Sequence, residues 1–186
     1  AQLRNLMNAF KIEYTYDSNK IEGNTLTLQE TALVVDKGFT IGGKSLNEHL
    51  EALNHAEAFD FIMDLVKGKD ALTEYNLLQV HNIILKSLDK DNAGRYRGVN
   101  VRIGGSKHTP PEPYLIRPQM DYYFNYYRMM QKEIHPLLLA ADMHEKLVSI
   151  HPFIDGNGRT SRLIMNLVAY QHGFSLINSS GERNSR

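Results

Sequence analysis

His151-Pro152-Phe153-Ile154-Asp155-Gly156-Asn157-Gly158-Arg159-Thr160-Ser161-Arg162 is the stretch that decides how this chain is read. It sets an imidazole, one carboxylate and a glycine-rich loop directly ahead of a helix that begins with two arginines. Glycines let backbone amides approach oxygens closely, and the start of a helix adds unpaired N–H donors and a partial positive charge. Arg159 and Arg162 are spaced to share one helix face, where each guanidinium can meet a phosphate in bidentate geometry. Asp155 is the only carboxylate of the loop, and a hard oxygen ligand beside phosphates is what Mg²⁺ requires. The segment reads as a phosphate site with a base beside it. The competing reading is a surface turn whose Gly and Asn residues merely cap two helices.

Helical punctuation surrounds it. Leu3, Leu6, Phe10 and Tyr14 recur at helical spacing and predict a first helix ending near Glu22, where Gly23-Asn24 supplies a cap. Thr27 with Glu30, and Ser45 with Glu48, have the spacing of capping boxes. They open a second helix that closes before Gly38 and a third that stops at Gly68. Leu46, Leu50, Leu53, Ala56 and Leu65 share one apolar face of the third, which marks it as a core helix. Thr73 caps a fourth through Leu88, Pro118 starts a fifth, Pro136 starts a sixth ending near Ile150, and a seventh follows Gly158 and stops at Gly173. Between the fourth and fifth, Val99, Val101 and Ile103 alternate with polar residues before Gly104-Gly105, so a short strand and turn are expected in a flap over residues 99–113. The fold class is all-α, a helical bundle with one short β-hairpin, and residues after Phe174 read as a polar tail.

At 186 residues with 42% hydrophobic content the chain fits one domain with a real core. Lys plus Arg and Asp plus Glu balance at 21 each, so no global field favours nucleic acid or an anionic membrane, and any basic site must be local. The absence of Cys excludes disulfides, thiolate metal sites and a cysteine nucleophile, and suits a reducing compartment, with cytoplasm the favoured one. No apolar run approaches the roughly 20 residues that span a bilayer. Both ends are provisional, since the chain starts at Ala1 and not Met.

At about 1/20 per letter, the seven fixed letters of His-Pro-Phe-x-x-Gly-Asn-Gly-Arg recur by chance roughly once per billion positions. The segment resembles the signature of the Fic family of protein adenylyltransferases. That resemblance implies a Fic-fold bundle in which His151 is the general base, Asp155 holds Mg²⁺, and Asn157 with the amides of Gly156 and Gly158 cradles the phosphates of ATP. It gives Arg159 the β-phosphate and Arg162 the γ-phosphate. Gly94-Arg95-Tyr96-Arg97 resembles the family's approach to a β-hairpin flap over the active site, which aligns a target peptide by strand addition. Val101, Arg102, Ile103 and Gly104 are then the target-binding residues. Ser18-Asn19-Lys20-Ile21-Glu22-Gly23 fits the family's inhibitory pattern and assigns inhibition to Ser18 and Glu22, with Glu22 folding back onto Arg162. The chain divides into N-terminal helices over residues 1–44 with the motif at 18–23, a Fic core over 45–174 with the active-site loop at 151–162, and a tail over 175–186.

The implied reaction moves AMP from ATP to a Ser, Thr or Tyr hydroxyl of a protein, this chain itself among the targets, with Glu22 holding it off. Removal of AMP, with Glu22 positioning a water, and nucleotide binding without turnover are the alternatives. Transfer of a terminal phosphate is disfavoured, because Gly158 and Arg162 are both present. Other motifs carry less. His144-Glu145 lacks the second His of a zinc helix, and Gly104-Gly105-Ser106-Lys107 lacks the spacing of a nucleotide loop. Tyr122, Tyr123, Phe124, Tyr126 and Tyr127 read as packing at the core boundary or between copies, so a homodimer stays open.

Overall fold

A computed structural model describes residues 2–175 and 177, with all of their side chains except those of Leu3 and Arg4. Among them stand seven helices and no strand: α1 (Gln2–Ile21), α2 (Leu28–Lys37), α3 (Leu46–Gly68), α4 (Glu74–Leu85), α5 (Pro113–Met130), α6 (Pro136–Ile150) and α7 (Asn157–Gln171). None of these helices is long and apolar enough to cross a membrane. The centre is α7, in which every residue from Arg159 to Ala169 is buried. It packs against α6, α3, α4 and α1. A helix enclosed along its length meets solvent only near its ends, and the loop ahead of α7 is exposed at Ile154 and Asp155. Leu139, Met143 and Leu147, each four residues on from the last, bury one face of α6 against Leu163, Ile164 and Leu167 of α7. Leu26, Val34 and Ala52 form a smaller cluster that seats α2 on α3.

Local chemistry sets the boundaries. The Thr27 hydroxyl accepts from the Glu30 amide at 3.2 Å while Glu30 Oε2 accepts from the Thr27 amide at 2.8 Å, and the same reciprocal pair starts α3 at Ser45 and Glu48. Gly38, at φ 67°, closes α2 in the left-handed conformation that favours glycine. Helix α3 stops at Gly68 as read, and its left-handed cap is Lys69 at φ 57°, which lets the Asp70 amide reach the Leu65 carbonyl at 2.9 Å. Other features differ from expectation. Of the face assigned to α3, Ala56 and Leu65 are buried and Leu50 is half-buried, but Leu46 is 71% exposed and Leu53 is exposed, whereas Ala52, His55, Phe59 and Ile62 are buried. Neighbours lie on several sides of α3, and small or polar residues admit their close approach, so counting leucines misplaces the contact face. Helix α4 stops at Leu85, short of Leu88.

Helix α5 starts at Pro113, and Pro118 lies inside it. The amide that Pro118 lacks would have bonded the carbonyl of Tyr114, and both residues are exposed, so water can take its place. Helix α7 starts at Asn157, ahead of Gly158, because Gly156 at φ 76° serves as its N-cap. The hairpin expected over residues 99–113 is absent. Gly104-Gly105 does turn the chain, with the Ser106 amide on the Ile103 carbonyl at 3.2 Å, but no segment lies beside Val99, Val101 and Ile103 to complete a ladder. Alternation gives a strand its faces and cannot supply a partner for its backbone. Tyr123, Phe124 and Tyr127 pack in the core as expected of the aromatic cluster, while Tyr122 stays exposed. Most of the tail at 175–186, and the side chain of Leu3, lie outside the described residues.

Candidate active site

The loop between α6 and α7 is held from behind. His151 caps α6 in the left-handed conformation, at φ 50° and ψ 57°, a strained position for a residue with a Cβ. Its Nδ1 lies 3.2 Å from the Val148 carbonyl, so a neutral ring donates there and keeps the Nε2 lone pair for a proton. Burial, opposed by that hydrogen bond and aided by Arg97 and His108, holds its pKa below the usual imidazole range. The ring is a base at neutral pH.

Two residues that sequence reading gave no role pin the loop's carbonyls. Arg97 is 4% exposed. Its Nε donates to the His151 carbonyl at 2.8 Å and its amide to the Pro152 carbonyl at 2.9 Å. Its guanidinium also reaches the carbonyls of Val99 and Pro111, at 2.8 and 2.6 Å, and so ties both ends of the 99–113 segment to the active-site loop. His81 accepts from the Gly94 amide through Nδ1 at 2.9 Å, which leaves Nε2–H to donate to the Asp155 carbonyl at 2.9 Å. Its ring stacks on Phe153 at 3.6 Å and 7°. Burial pushes its pKa down to about 4, so it stays neutral and this tautomer persists. The string Gly94-Arg95-Tyr96-Arg97 hinted at Arg97; nothing local marked His81, whose partners lie far along the chain.

Asn157 requires a correction. Its side chain was expected to cradle phosphates, but Oδ1 accepts from the Phe153 amide at 3.0 Å and Nδ2 donates to the Phe153 carbonyl at 2.9 Å. It closes the loop on itself, and the first amides of α7 are left without an intrahelical acceptor. Gly156 and Gly158 each fill the role a glycine is needed for. Gly156 is needed for its φ of 76°, since a Cβ there would meet the His81 ring at an ordinary 3.4 Å, whereas one on Gly158 would collide with Glu22 Oε1 and stand 3.0 Å from Arg162 Nη1. The space over Gly158 is therefore an anion seat at a helix N-terminus, and a carboxylate sits in it.

That carboxylate arrives from far away in sequence. Arg162 Nη2 donates to Glu22 Oε1 at 2.7 Å and to the Ser18 carbonyl at 2.9 Å, while Nε donates to the Ser18 hydroxyl at 3.0 Å. Arg159 is also engaged: Nη2 donates to Asp155 Oδ2 at 3.0 Å, and Nη1 lies 3.6 Å from Glu51 Oε1. The structure thus brings together His151, Asp155, Gly156, Asn157, Gly158, Arg159, Arg162, Ser18 and Glu22. Val101 and Ile103 are half-buried and Arg102 and Gly104 exposed, on a segment whose His108 donates from Nε2 to the Ser149 carbonyl at 2.8 Å, in the last turn of α6.

Among the described residues no group of three acidic or His side chains could cage a metal. Asp155 is the single carboxylate of the loop, its side chain 65% exposed, with Oδ1 accepting from the Gly156 amide at 2.6 Å and Oδ2 from Arg159 at 3.0 Å. A single exposed carboxylate fits Mg²⁺ delivered with phosphates, whose other ligands are phosphate oxygens and water.

Known proteins share this arrangement of sequence. Residues 71–169, more than half the chain, match the model of the Fic/DOC family. The "Protein adenylyltransferase Fic" of Nematostella vectensis is 39% identical over 164 residues, which is 87% of this chain and 38% of that protein. That of Drosophila grimshawi is 37% identical over 177 residues, 94% of this chain and 36% of that protein. The chain therefore spans well under half the length of these relatives. Among solved structures, a Fic domain containing signaling protein from Bacteroides thetaiotaomicron aligns with a TM-score of 0.86 at 31% identity, covering 94% of this chain and 68% of that one. Fic-1 from C. elegans aligns with a TM-score of 0.82 at 34% identity, covering 89% and 49%.

Proposed function

The chain belongs to the Fic/DOC family, and from that premise we propose that it transfers AMP from ATP to a Ser, Thr or Tyr hydroxyl of a protein, and that Glu22 holds it off. The observation that carries this reading is the Glu22 carboxylate 2.7 Å from Arg162, seated over Gly158 where a phosphate would lie. His151 Nε2 takes the proton of the target hydroxyl as its oxygen attacks the α-phosphorus. The amides that open α7, together with Arg159 and Arg162, meet the charge that builds on the departing pyrophosphate. Asp155 is the residue that would hold Mg²⁺, which would supply partial neutralisation of that charge. The 99–113 segment, exposed at Arg102 and Gly104 and half-buried at Val101 and Ile103, is where the target peptide would dock.

Inhibition is a contest for one guanidinium. A charge-assisted hydrogen bond contributes about 1.5–3 kcal/mol, so a γ-phosphate that must displace Glu22 binds roughly 10–100-fold less well. ADP, with no γ-phosphate, suffers less. The test is incubation of wild type, Glu22→Gly and His151→Ala with Mg²⁺ and α-labelled ATP, with and without cell lysate. Glu22→Gly should label protein strongly, wild type weakly, and His151→Ala at least about 100-fold less than its parent. Glu22→Gly no more active than wild type would remove self-inhibition and leave the transferase reading; labelling by folded His151→Ala would remove the base.

A second reading is removal of AMP. It draws on the Glu22 carboxylate lying beside Gly158 and Arg162 in the active-site loop and helix, where the same carboxylate could orient a water. Release of labelled AMP from a modified protein by wild type, and not by Glu22→Gly, is the result that would favour it.

A further inference from the structure

Glu51, on α3, touches both halves of the proposed switch. Its Oε2 accepts from Asn24 Nδ2 at 2.7 Å, and its Oε1 faces Arg159 Nη1 at 3.6 Å. Asn24 lies two residues beyond Glu22 and is itself fully committed: Nδ2 also donates to the Glu48 carbonyl at 3.1 Å, and Oδ1 accepts from the Leu26 amide at 3.0 Å. The turn that presents Glu22 is thus fastened to α3, with Glu51 as the charged end of the fastening. At its other end Arg159 is only 3% exposed, yet Nε and Nη1 have no hydrogen-bond partner. The 3.6 Å approach is too long for a hydrogen bond and leaves an attraction between charges. Arg159 is held without being satisfied, which is the condition of a group that gains hydrogen bonds when an anion arrives.

We propose that Glu51 is a second inhibitory carboxylate, which draws Arg159 back from the phosphate path as Glu22 does Arg162, and that Asn24 joins the two so that they act as one latch. The proposal rests on the autoinhibited-transferase reading and deepens it. A nucleotide whose phosphates recruit Arg159 leaves Glu51 without its counter-charge, which is half-buried beside α7. Every ligand that reaches Arg159 bears that penalty, whether or not it also reaches Arg162. The two carboxylates therefore differ in selectivity: removing Glu22 favours ATP over ADP, whereas neutralising Glu51 favours ADP and ATP alike and leaves AMP unchanged.

The test measures affinity and needs no turnover. AMP, ADP and ATP are titrated by calorimetry, with Mg²⁺, into wild type, Glu51→Gln, Glu22→Gly and Asn24→Ala. Glu51→Gln keeps the acceptor for Asn24 and removes only the charge, and should tighten ADP and ATP by roughly threefold, the size expected of a partly exposed ion pair. Asn24→Ala unfastens the turn with both carboxylates in place, and should tighten ATP more than ADP. Unchanged ADP affinity in Glu51→Gln, or equal changes for AMP and ADP, would overturn the proposal. So would an Asn24→Ala protein whose ATP-to-ADP ratio equals that of wild type. A Glu51→Gln that binds ADP more weakly would make Glu51 a support for Arg159, also overturning it. Failure of the transferase reading appears elsewhere, as absence of labelled product from Glu22→Gly.

Discussion

His81 shows how much of the site depends on a residue that performs no chemistry. It holds the Asp155 carbonyl, satisfies the Gly94 amide and stacks on Phe153, so one ring fixes the height of the loop against α4. Replacing it by Phe keeps the stack and strands two backbone groups. The expected loss is about 1–3 kcal/mol for the unpaired Gly94 amide, with a smaller part for the Asp155 carbonyl. Urea unfolding of His81→Phe against wild type measures this, and a midpoint within error of wild type would show that water replaces the ring nitrogens. The loop is only as defined as the groups behind it, so nucleotide affinity should fall along with stability. At this scale the sequence was informative for groups next to one another in the chain and silent for those that meet across it. Glycine, arginine and histidine in residues 151–162 announce a phosphate site by themselves, whereas neither His81 nor Glu51 lies in a pattern, because each acts on residues from another element.

The helices were legible where their ends are set by neighbours in sequence. Thr27 with Glu30 and Ser45 with Glu48 cap as read, because each box closes within a single turn. Pro136 likewise starts α6 as read. Errors arose at other ends: α4 stops at Leu85, short of Leu88, and α5 starts at Pro113, ahead of Pro118. At the exit of α3, which stops at Gly68 as read, Lys69 takes the left-handed position at φ 57°. A lysine there carries a steric cost that glycine lacks, so Lys69→Gly should raise stability by about 0.5–1 kcal/mol. Thermal unfolding tests it, and a lower melting temperature would mean that the greater freedom of glycine in the unfolded chain outweighs the relief. The 99–113 segment failed for another reason. A strand is a relation between two segments, and alternation in one of them carries no information on the other.

Across the whole molecule, buried imidazoles make acid stability a property of the fold. Burial holds His81 at about 4 and His55 at about 3, against 6.5 for the unfolded side chain. Each is protonated in the unfolded chain at a pH where the fold keeps it neutral, so its contribution is complete above pH 6.5. It is lost as pH falls from 6.5 towards about 4 for His81 and about 3 for His55. His151 and His144 act in the same direction. Glu48, held at about 2 by hydrogen bonds from Thr25 and Ser45, adds a loss only below 4.5. The urea midpoint should therefore decline already between pH 7 and pH 5, ahead of the carboxylates, and a flat profile over that interval would contradict the buried neutral state of these rings. Sequence by itself determined the all-α class, the contiguous loop of His151, Asp155 and the two glycines, and the pairing of a distant Glu22 pattern with Arg162, since these rest on local spacing or on a motif. Only the tertiary structure decided that the Asn157 side chain bonds the Phe153 backbone and closes the loop, that Arg97 and His81 carry it, and that Glu51 stands between Asn24 and Arg159. Burial is the physical reason: it depends on which helices enclose α7, and no residue's own neighbours in the chain specify that.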